Sequence, residues 1–166
     1  MLAISMKRIT AIFSTIFFVS NLIAVSNQQK IEFDIKTSKQ GLSDNDISSI
    51  VEDGHGFLWL GTNEGLNRYD GYEFKTYQSN YFDSTALSGN VIWNVFKDMD
   101  GDIWVGTDKG IDQYIYGMDE FIRYDIGSQP TFITQDTTDG TIWVTSKNTG
   151  LHSIDKKNKS KRSFIN

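Results

Sequence analysis

The sequence predicts an all-β fold: a partial β-propeller of about three four-stranded antiparallel blades. Three observations predict it. A Trp-centred segment occurs twice in near-identical form and a third time in a weaker form, with Trp59, Trp104 and Trp143 spaced by 45 and 39 residues. A period of that size marks a repeat architecture whose units stack on one another. Around each Trp the chain breaks into short runs of β-branched and aromatic residues punctuated by Gly, Asp and Asn, which reads as strands and turns rather than helices. Finally, Leu58-Trp59-Leu60, Ile103-Trp104-Val105 and Ile142-Trp143-Val144 are apolar at consecutive positions. A strand of that kind is covered on both faces, as in a sheet stacked between two similar sheets. A sandwich would not repeat its Trp and Gly-Thr at fixed places.

The elements follow in chain order. Residues 1–26 are of a different material from the rest. Met6-Lys7-Arg8 is basic, Ile9 to Val25 is uncharged and mostly apolar, and Ala24-Val25-Ser26 supplies small residues before polar Asn27-Gln28-Gln29-Lys30. This is the order of a secretory signal peptide, with Met6 as an alternative start. An uncleaved anchor is the rival reading, because 17 uncharged residues approach the ~20 that span a bilayer. The propeller is expected over 27–166. Ile31-Glu32-Phe33-Asp34-Ile35 alternates and reads as an orphan outer strand. Blade 1, about 47–78, takes strands Ile47–Glu52, Leu58–Thr62, Leu66–Tyr69 and Phe74–Tyr77. Blade 2, about 91–125, takes Val91–Lys97, Ile103–Thr107, Ile111–Tyr114 and Phe121–Tyr124. Blade 3, about 131–166, takes Thr131–Gln135, Ile142–Ser146, Leu151–Ile154 and Phe164–Ile165. The basic run Lys156–Arg162 reads as a solvated hairpin between the last two strands.

These residues resemble the two-component regulator propeller repeat: an apolar strand, an Asp-x-x-Gly turn, apolar-Trp-apolar-Gly-Thr, then x-x-Gly-Leu. Blade 1 carries it through Asp53, Gly56, Trp59, Gly61, Thr62, Gly65, Leu66 and Tyr69-Asp70, and blade 2 through Asp98, Gly101, Trp104, Gly106, Thr107, Gly110 and Ile111. Gly41-Leu42-Ser43-Asp44-Asn45 fits the entry phrase of a first blade, with an echo at Leu87-Ser88-Gly89-Asn90. Blade 3 departs from the pattern: Gly-Thr becomes Thr145-Ser146, and Gly150 lies seven residues past Trp143 instead of six. The resemblance implies the periplasmic, ligand-sensing region of a hybrid two-component histidine kinase of the Bacteroidetes type, responsive to glycans. It implies as partners the remaining propeller blades, downstream sensor domains or another subunit, and an oligosaccharide ligand. No kinase motif, phosphoacceptor segment or helix-turn-helix follows in this sequence. Three blades fall short of the 4–8 that close a ring, so a fragment, a truncated product or an obligate assembler is expected.

Composition narrows the function further. The chain of 166 residues has a net charge of −5, which becomes −7 without the two cations of residues 1–26. That argues against nucleic acid, which demands a basic face. With no Cys there is no disulfide framework, thiol chemistry or Cys-ligated metal. Trp59, Trp104 and Trp143 read as core packing. Gly61, Gly106, Thr62 and Thr107 read as close-approach and strand-end residues, and Gly65, Gly110 and Gly150 as turn residues. Trp93 breaks the pattern of its strand and is the candidate for a ligand surface. Asp98-Met99-Asp100-Gly101-Asp102 looks like the opening of a calcium loop, but no distal carboxylate stands at the right distance, and the sister turns favour a hairpin. His55 and His152 show no metal spacing. No catalytic residue, cofactor or metal is assigned. The expected function is a non-enzymatic sensing module; a propeller glycosidase or lyase fragment, or a non-functional remnant, is the alternative.

Overall fold

The structure, a computed structural model, describes residues 31–164. The expected leader lies outside the described residues. Residues 31–35 and the chain from Lys36 belong to separate compact units. The strand expected over Ile31–Ile35 is not formed: the segment is irregular and its three apolar side chains are exposed. Alternation alone does not make a strand, because a strand also needs a paired neighbour.

Twelve strands make three separate four-stranded sheets. Blade 1 is β1 (Ile47–Glu52), β2 (Leu58–Thr62), β3 (Gly65–Tyr69) and β4 (Phe74–Tyr77). Blade 2 is β5 (Ile92–Lys97), β6 (Ile103–Thr107), β7 (Ile111–Ile115) and β8 (Glu120–Tyr124). Blade 3 is β9 (Pro130–Gln135), β10 (Ile142–Ser146), β11 (Gly150–Asp155) and β12 (Ser160–Phe164). Within each blade the strands pair antiparallel in chain order, the up-and-down connectivity of a propeller blade. The last strand differs from the expectation. Ser160, Lys161 and Arg162 are part of β12, so the basic run is a short turn, 156–159, followed by strand. Its polar residues suit an edge strand, whose outer side faces water.

The blades stack through two apolar layers, and the pairing register explains which residues fill them. In blade 2, Trp104, Gln113 and Ile111 face one way and Val105 and Asp112 the other, because neighbours alternate along a strand. Trp59, Leu66 and Tyr77 from blade 1 meet Ile92, Val95, Ile103 and Tyr114 from blade 2. Trp104, Ile111 and Tyr124 from blade 2 meet Ile133, Ile142 and Ile154 from blade 3. Each Trp thus points at the following blade. Trp59 and Trp104 are fully buried, whereas Trp143, with no following blade among the described residues, is only half-buried.

The blades approach most closely at the Gly of Trp-apolar-Gly-Thr. A Cβ built on Gly61 would stand 2.6 Å from Ile92 Cγ2, and one on Gly106 would stand 2.8 Å from Pro130 Cγ. Gly61→Ala is therefore expected to cost about 1–3 kcal/mol by overpacking the first junction. Urea unfolding checks this, and Ile92→Ala, which removes the Cγ2 methyl that the new Cβ meets, should cost less in the Gly61→Ala background than in the parent chain.

Candidate functional site

The three innermost strands share one irregularity. Pairing of β1 with β2 slips between Ile47 and Ser49, β5 with β6 slips between Ile92 and Asn94, and β9 with β10 slips at Thr145/Ser146, opposite Pro130–Phe132. The extra residue is Ser48 in blade 1, Trp93 in blade 2 and Thr131 in blade 3. A bulge re-aims its side chain out of the regular alternation, and bulges gather beside functional sites. Because β5 packs between β1 and β9, the three bulged residues form a row with Trp93 in the middle. Trp93 is 44% exposed, unlike Trp59 and Trp104 at 0%. Ser48 Oγ donates to the carbonyl of Ile92 at 2.6 Å and so braces the backbone next to Trp93. Thr131 Oγ1 lies 2.7 Å from Thr145 Oγ1.

The β2–β3 type hairpins end beside this row. Asp108 N donates to the Val91 carbonyl at 3.0 Å, Lys147 N to the Gln129 carbonyl at 3.0 Å, and Asn63 Nδ2 to Asp46 Oδ2 at 3.0 Å. Thr62 and Thr107 are buried at these strand ends, where their hydroxyls donate to the carbonyls of Gly65 and Gly110 and accept backbone N–H from Glu64 and Lys109. Gly65 and Gly110 sit at φ +126° and +158°, where a Cβ would meet the Tyr77 and Tyr124 carbonyls at 2.6 and 2.7 Å. In blade 3 the longer hairpin puts Gly150 at φ +74° and lets Thr149 and Ser146 both hydrogen-bond His152 Nε2. The result is a rigid polar rim around one exposed indole, suited to stacking on a flat ring and hydrogen-bonding its edge.

His152 is buried on β11 and also contacts Ser163 Oγ through Nδ1. Burial, and secondarily Lys161, lowers its pKa, so it is a neutral core residue. Its register counterparts are Asn67 in blade 1 and Asp112 in blade 2. Both fasten the chain that leads into their own blade: Asn67 Oδ1 accepts Ser43 N at 3.0 Å, and Asp112 Oδ2 accepts Ser88 N at 2.7 Å. Asp112 Oδ1 is buried without a partner among the described residues. Burial raises the Asp112 pKa to about 6, against the N–H and hydroxyl of Ser88 and the nearby Arg123, which lower it.

At the opposite end of the blades lie the Asp turns. Asp98 Oδ1 accepts the N–H groups of Asp100 and Asp102 at 3.0 and 2.9 Å, and Oδ2 accepts Trp104 Nε1 at 2.9 Å. The ammonium of Lys156 stands 2.5, 2.8 and 2.8 Å from Asp98, Asp100 and Asp102. Lys156 is thus no solvated hairpin residue, as the sequence suggested. Its charge occupies the carboxylate cluster that resembles a calcium loop. Although burial works the other way, the three carboxylates hold its pKa above the usual lysine range. Blade 1 has the same construction with a different donor: Asp53 Oδ2 accepts Trp59 Nε1 at 2.8 Å and Tyr116 Oη at 2.7 Å. Burial alone would raise Asp53, but Trp59, Tyr116 and the N–H groups of Phe57 and His55 outweigh it and lower its pKa. Tyr116 and Lys156 occupy corresponding places, first in the turn after β7 and after β11.

A third cluster surrounds Asp119 in the β7–β8 turn. It accepts Tyr77 Oη at 2.6 Å and Tyr114 Oη at 2.7 Å, and pairs with Lys75. Burial opposes ionisation here, but Lys75 and the two phenols win and lower its pKa to about 2. It lines an open groove of about 470 Å³ together with Asp83, Thr85 and Met118. Asp83 is also held low by Thr85. Sequence reasoning singled out Trp93, which is exposed, and did not single out Ser48, Thr131, Asp112, Asp119 or Lys156.

Residues 41–64 and 86–109 match the two component regulator propeller family. Over 77 residues the chain is 39% identical to a protein named histidine kinase P4 of Formosa agariphila, covering 46% of this chain and 6% of that one. Among solved structures, the extracellular domain of a hybrid two component system from B. thetaiotaomicron is similar at a TM-score of 0.71 and 28% identity. That match covers 80% of this chain and 20% of the other. A second such domain from the same organism matches at a TM-score of 0.65 and 26% identity, covering 82% and 20%. Virginiamycin B lyase from Staphylococcus aureus, at 15% identity and a TM-score of 0.59, covers 76% of this chain and 43% of the lyase and shares the fold alone. The chain spans about a fifth of the solved two-component domains it matches.

Proposed function

We propose that this chain, whose first two blades are two-component regulator propeller repeats, is an exported ligand-binding part of a two-component sensor, with the bulged row at Trp93 as its recognition surface. The observation that carries the reading is the row itself: one exposed indole, set out of register by a bulge and braced by Ser48. An aromatic face flanked by hydroxyls suits an oligosaccharide, whose ring C–H face stacks while its hydroxyls take hydrogen bonds. The likeness to extracellular domains of hybrid two component systems supports export and a sensing role. Among the described residues no helix is long and apolar enough to cross a membrane. Binding would act by favouring one packing of the blades against neighbouring domains and so biasing a kinase elsewhere in the system.

The carboxylates support binding without catalysis. Glycoside hydrolysis needs one acid held protonated near neutrality beside one ionised carboxylate. Of the described carboxylates with a resolved shift, Asp112 alone is raised, and it is fully buried. Asp83 and Asp119 share a groove, but both are lowered.

The test is calorimetric titration of the full chain with a panel of neutral and uronate-containing tetra- to hexasaccharides. Trp93→Ala should weaken binding of any responder by about tenfold or more, the equivalent of ~1.4 kcal/mol. Its stability should change by less than about 1 kcal/mol, because the side chain is already partly in water. Unaltered affinity in that variant would place the ligand elsewhere.

A further inference from the structure

One register position fastens the chain that enters blades 1 and 2, and its chemistry differs between them. In blade 1 it is Asn67 beside Thr76, in blade 2 Asp112 beside Arg123. Asn67 is a complete neutral latch. Its Oδ1 accepts Ser43 N and Thr76 Oγ1, each at 3.0 Å, and its Nδ2 donates to Ser43 Oγ at 2.7 Å. Asp112 does the same work with a carboxyl. Its Oδ2 accepts Ser88 N, its Oδ1 has no partner among the described residues, and the residue is fully buried. Burying a charge that is short of hydrogen bonds is costly, and the group avoids the cost by taking a proton.

What Asp112 fastens is a strap. Between β4 and β5 the chain takes 14 residues, 78–91, to pass from the outermost strand of blade 1 to the innermost strand of blade 2; the same passage into blade 3, 125–129, takes 5. The strap lies along blade 2 and is tied to it strand by strand. On β8, Phe121 N donates to the Thr85 carbonyl at 2.7 Å, and the Arg123 guanidinium donates to the carbonyls of Asp83, Ala86 and Leu87. On β7, Asp112 takes Ser88 N at 2.7 Å. Just past β6, Asp108 N donates to the Val91 carbonyl at 3.0 Å. Leu87 is buried in the apolar layer between blades 1 and 2. Trp93 follows two residues beyond Val91, on the bulge of β5.

We propose that Asp112 is a proton-controlled latch on this strap: protonated it holds the strap against blade 2, and ionised it lets the strap lift, so that the segment leading to Trp93 is fixed at mildly acidic pH and looser at neutrality. A protonated carboxyl still accepts Ser88 N–H at its carbonyl oxygen and has no charge to bury. An ionised carboxylate is rehydrated when the strap lifts, which offsets part of the cost of exposing Leu87 and breaking the ties to Arg123. Arg123 is the charged group that acts on Asp112; Val105, across the ladder on β6, and Ser88 carry no charge. Burial outweighs Ser88 and Arg123 and raises the pKa under the closed strap to about 6, against the ordinary 3.8 that an open strap restores. The closed state is therefore favoured in full below 3.8 and loses that favour as pH rises through about 6. The strap's own carboxylate, Asp83, is held below its ordinary value by Thr85 and is ionised where Asp112 titrates. The latch itself needs no ligand; its bearing on recognition rests on the reading of Trp93 as the ligand surface.

The experiment is amide hydrogen exchange of the full chain, followed residue by residue by NMR from about pH 4 to 7 and corrected for the intrinsic rate. Ser88, Phe121 and Asp108 report on the strap, because each of their N–H bonds joins the strap to blade 2. These amides should exchange through a local opening, less protected than the β6–β7 ladder and insensitive to low urea. The opening should become about fifty-fold more frequent from pH 4 to 7, as follows from a pKa of about 6 closed and 3.8 open. In Asp112→Asn, which keeps an acceptor for Ser88 N, that rise should vanish. In the parent chain the carboxyl carbon resonance of Asp112 should titrate with a midpoint of about 6, a readout that needs no variant. A carboxyl midpoint at the ordinary 3.8, strap amides that exchange only together with the ladder, or a rise that persists in Asp112→Asn would each overturn the proposal.

Discussion

Replacing Asp98 with Ala is expected to destabilise the chain by about 3–5 kcal/mol, the range for breaking a buried charge pair by removing one partner. Asp98 is 4% exposed and does four things at once. One oxygen holds the turn through two backbone N–H groups, and the other takes the indole N–H of Trp104 and the ammonium of Lys156. Removing it leaves the buried indole donor and the turn amides unpaired, each costing about 1–3 kcal/mol. Lys156→Met breaks the same pair but is expected to cost less. It leaves Asp98 with the indole and both turn amides, and the apolar stem is replaced in kind. The asymmetry is the diagnostic. Against a total stability of roughly 5–15 kcal/mol for a domain, Asp98→Ala should remove a large share and Lys156→Met a smaller one. Urea unfolding of both variants measures the difference. Equal losses would mean that the ion pair, and not the turn and indole, carries the junction.

Asp112→Asn is expected to stabilise the chain at neutral pH. A carboxyl with a folded pKa of about 6 and an ordinary value of 3.8 binds its proton more tightly folded than unfolded. Its favourable contribution is fully present below the unfolded value and is lost as pH rises through about 4 to 6. The loss is on the order of 3 kcal/mol, from about two units of pKa. Arg123, opposite Asp112 in the β7–β8 register, lessens the loss but does not cancel it. Asn removes the titration and adopts the chemistry of Asn67, which serves the same place in blade 1. Asp119 works with the opposite sign: its lowered pKa gives stability that is present above the unfolded value and fades as pH falls toward 2. Together the two groups place their combined maximum near pH 4. Thermal melts from pH 3 to 8 should show Tm falling from about pH 4 to 6 in the parent chain and staying level over that range in Asp112→Asn. A parallel fall in both would locate the titration elsewhere.

The repeat made the scaffold legible. Apolar-Trp-apolar-Gly-Thr fixes β2, β6 and, less exactly matched, β10, and Gly at the next turn fixes the strand that follows, so the sequence-based boundaries of these strands lie within a residue or two of the structure. What escaped was set by neighbours, not by local pattern. Ser160–Phe164 has too little apolar alternation to look like a strand, and forms one because β11 offers it an edge. The segment Ile31–Ile35 has the alternation and yet forms no strand. Lys156 looked solvated inside a basic run, although it reaches back to the preceding blade, where Tyr116 does the same work in unlike chemistry. Asn67, Asp112 and His152 share a position but no residue type, so their common role was hidden. Trp93 was visible because it interrupts a pattern. The bulges that group it with Ser48 and Thr131 were not, since a one-residue slip leaves no mark on composition.

The central claim is that Trp93 meets the ligand. It is tested most directly by following indole emission while the full chain is titrated with the oligosaccharide panel, and subtracting the same titration of Trp93→Phe. Trp59 and Trp104 are buried and cancel in the difference. The account predicts a saturable change, from at least one oligosaccharide, that disappears in the difference partner. A sugar that binds by calorimetry yet gives identical emission changes in both proteins would contradict it.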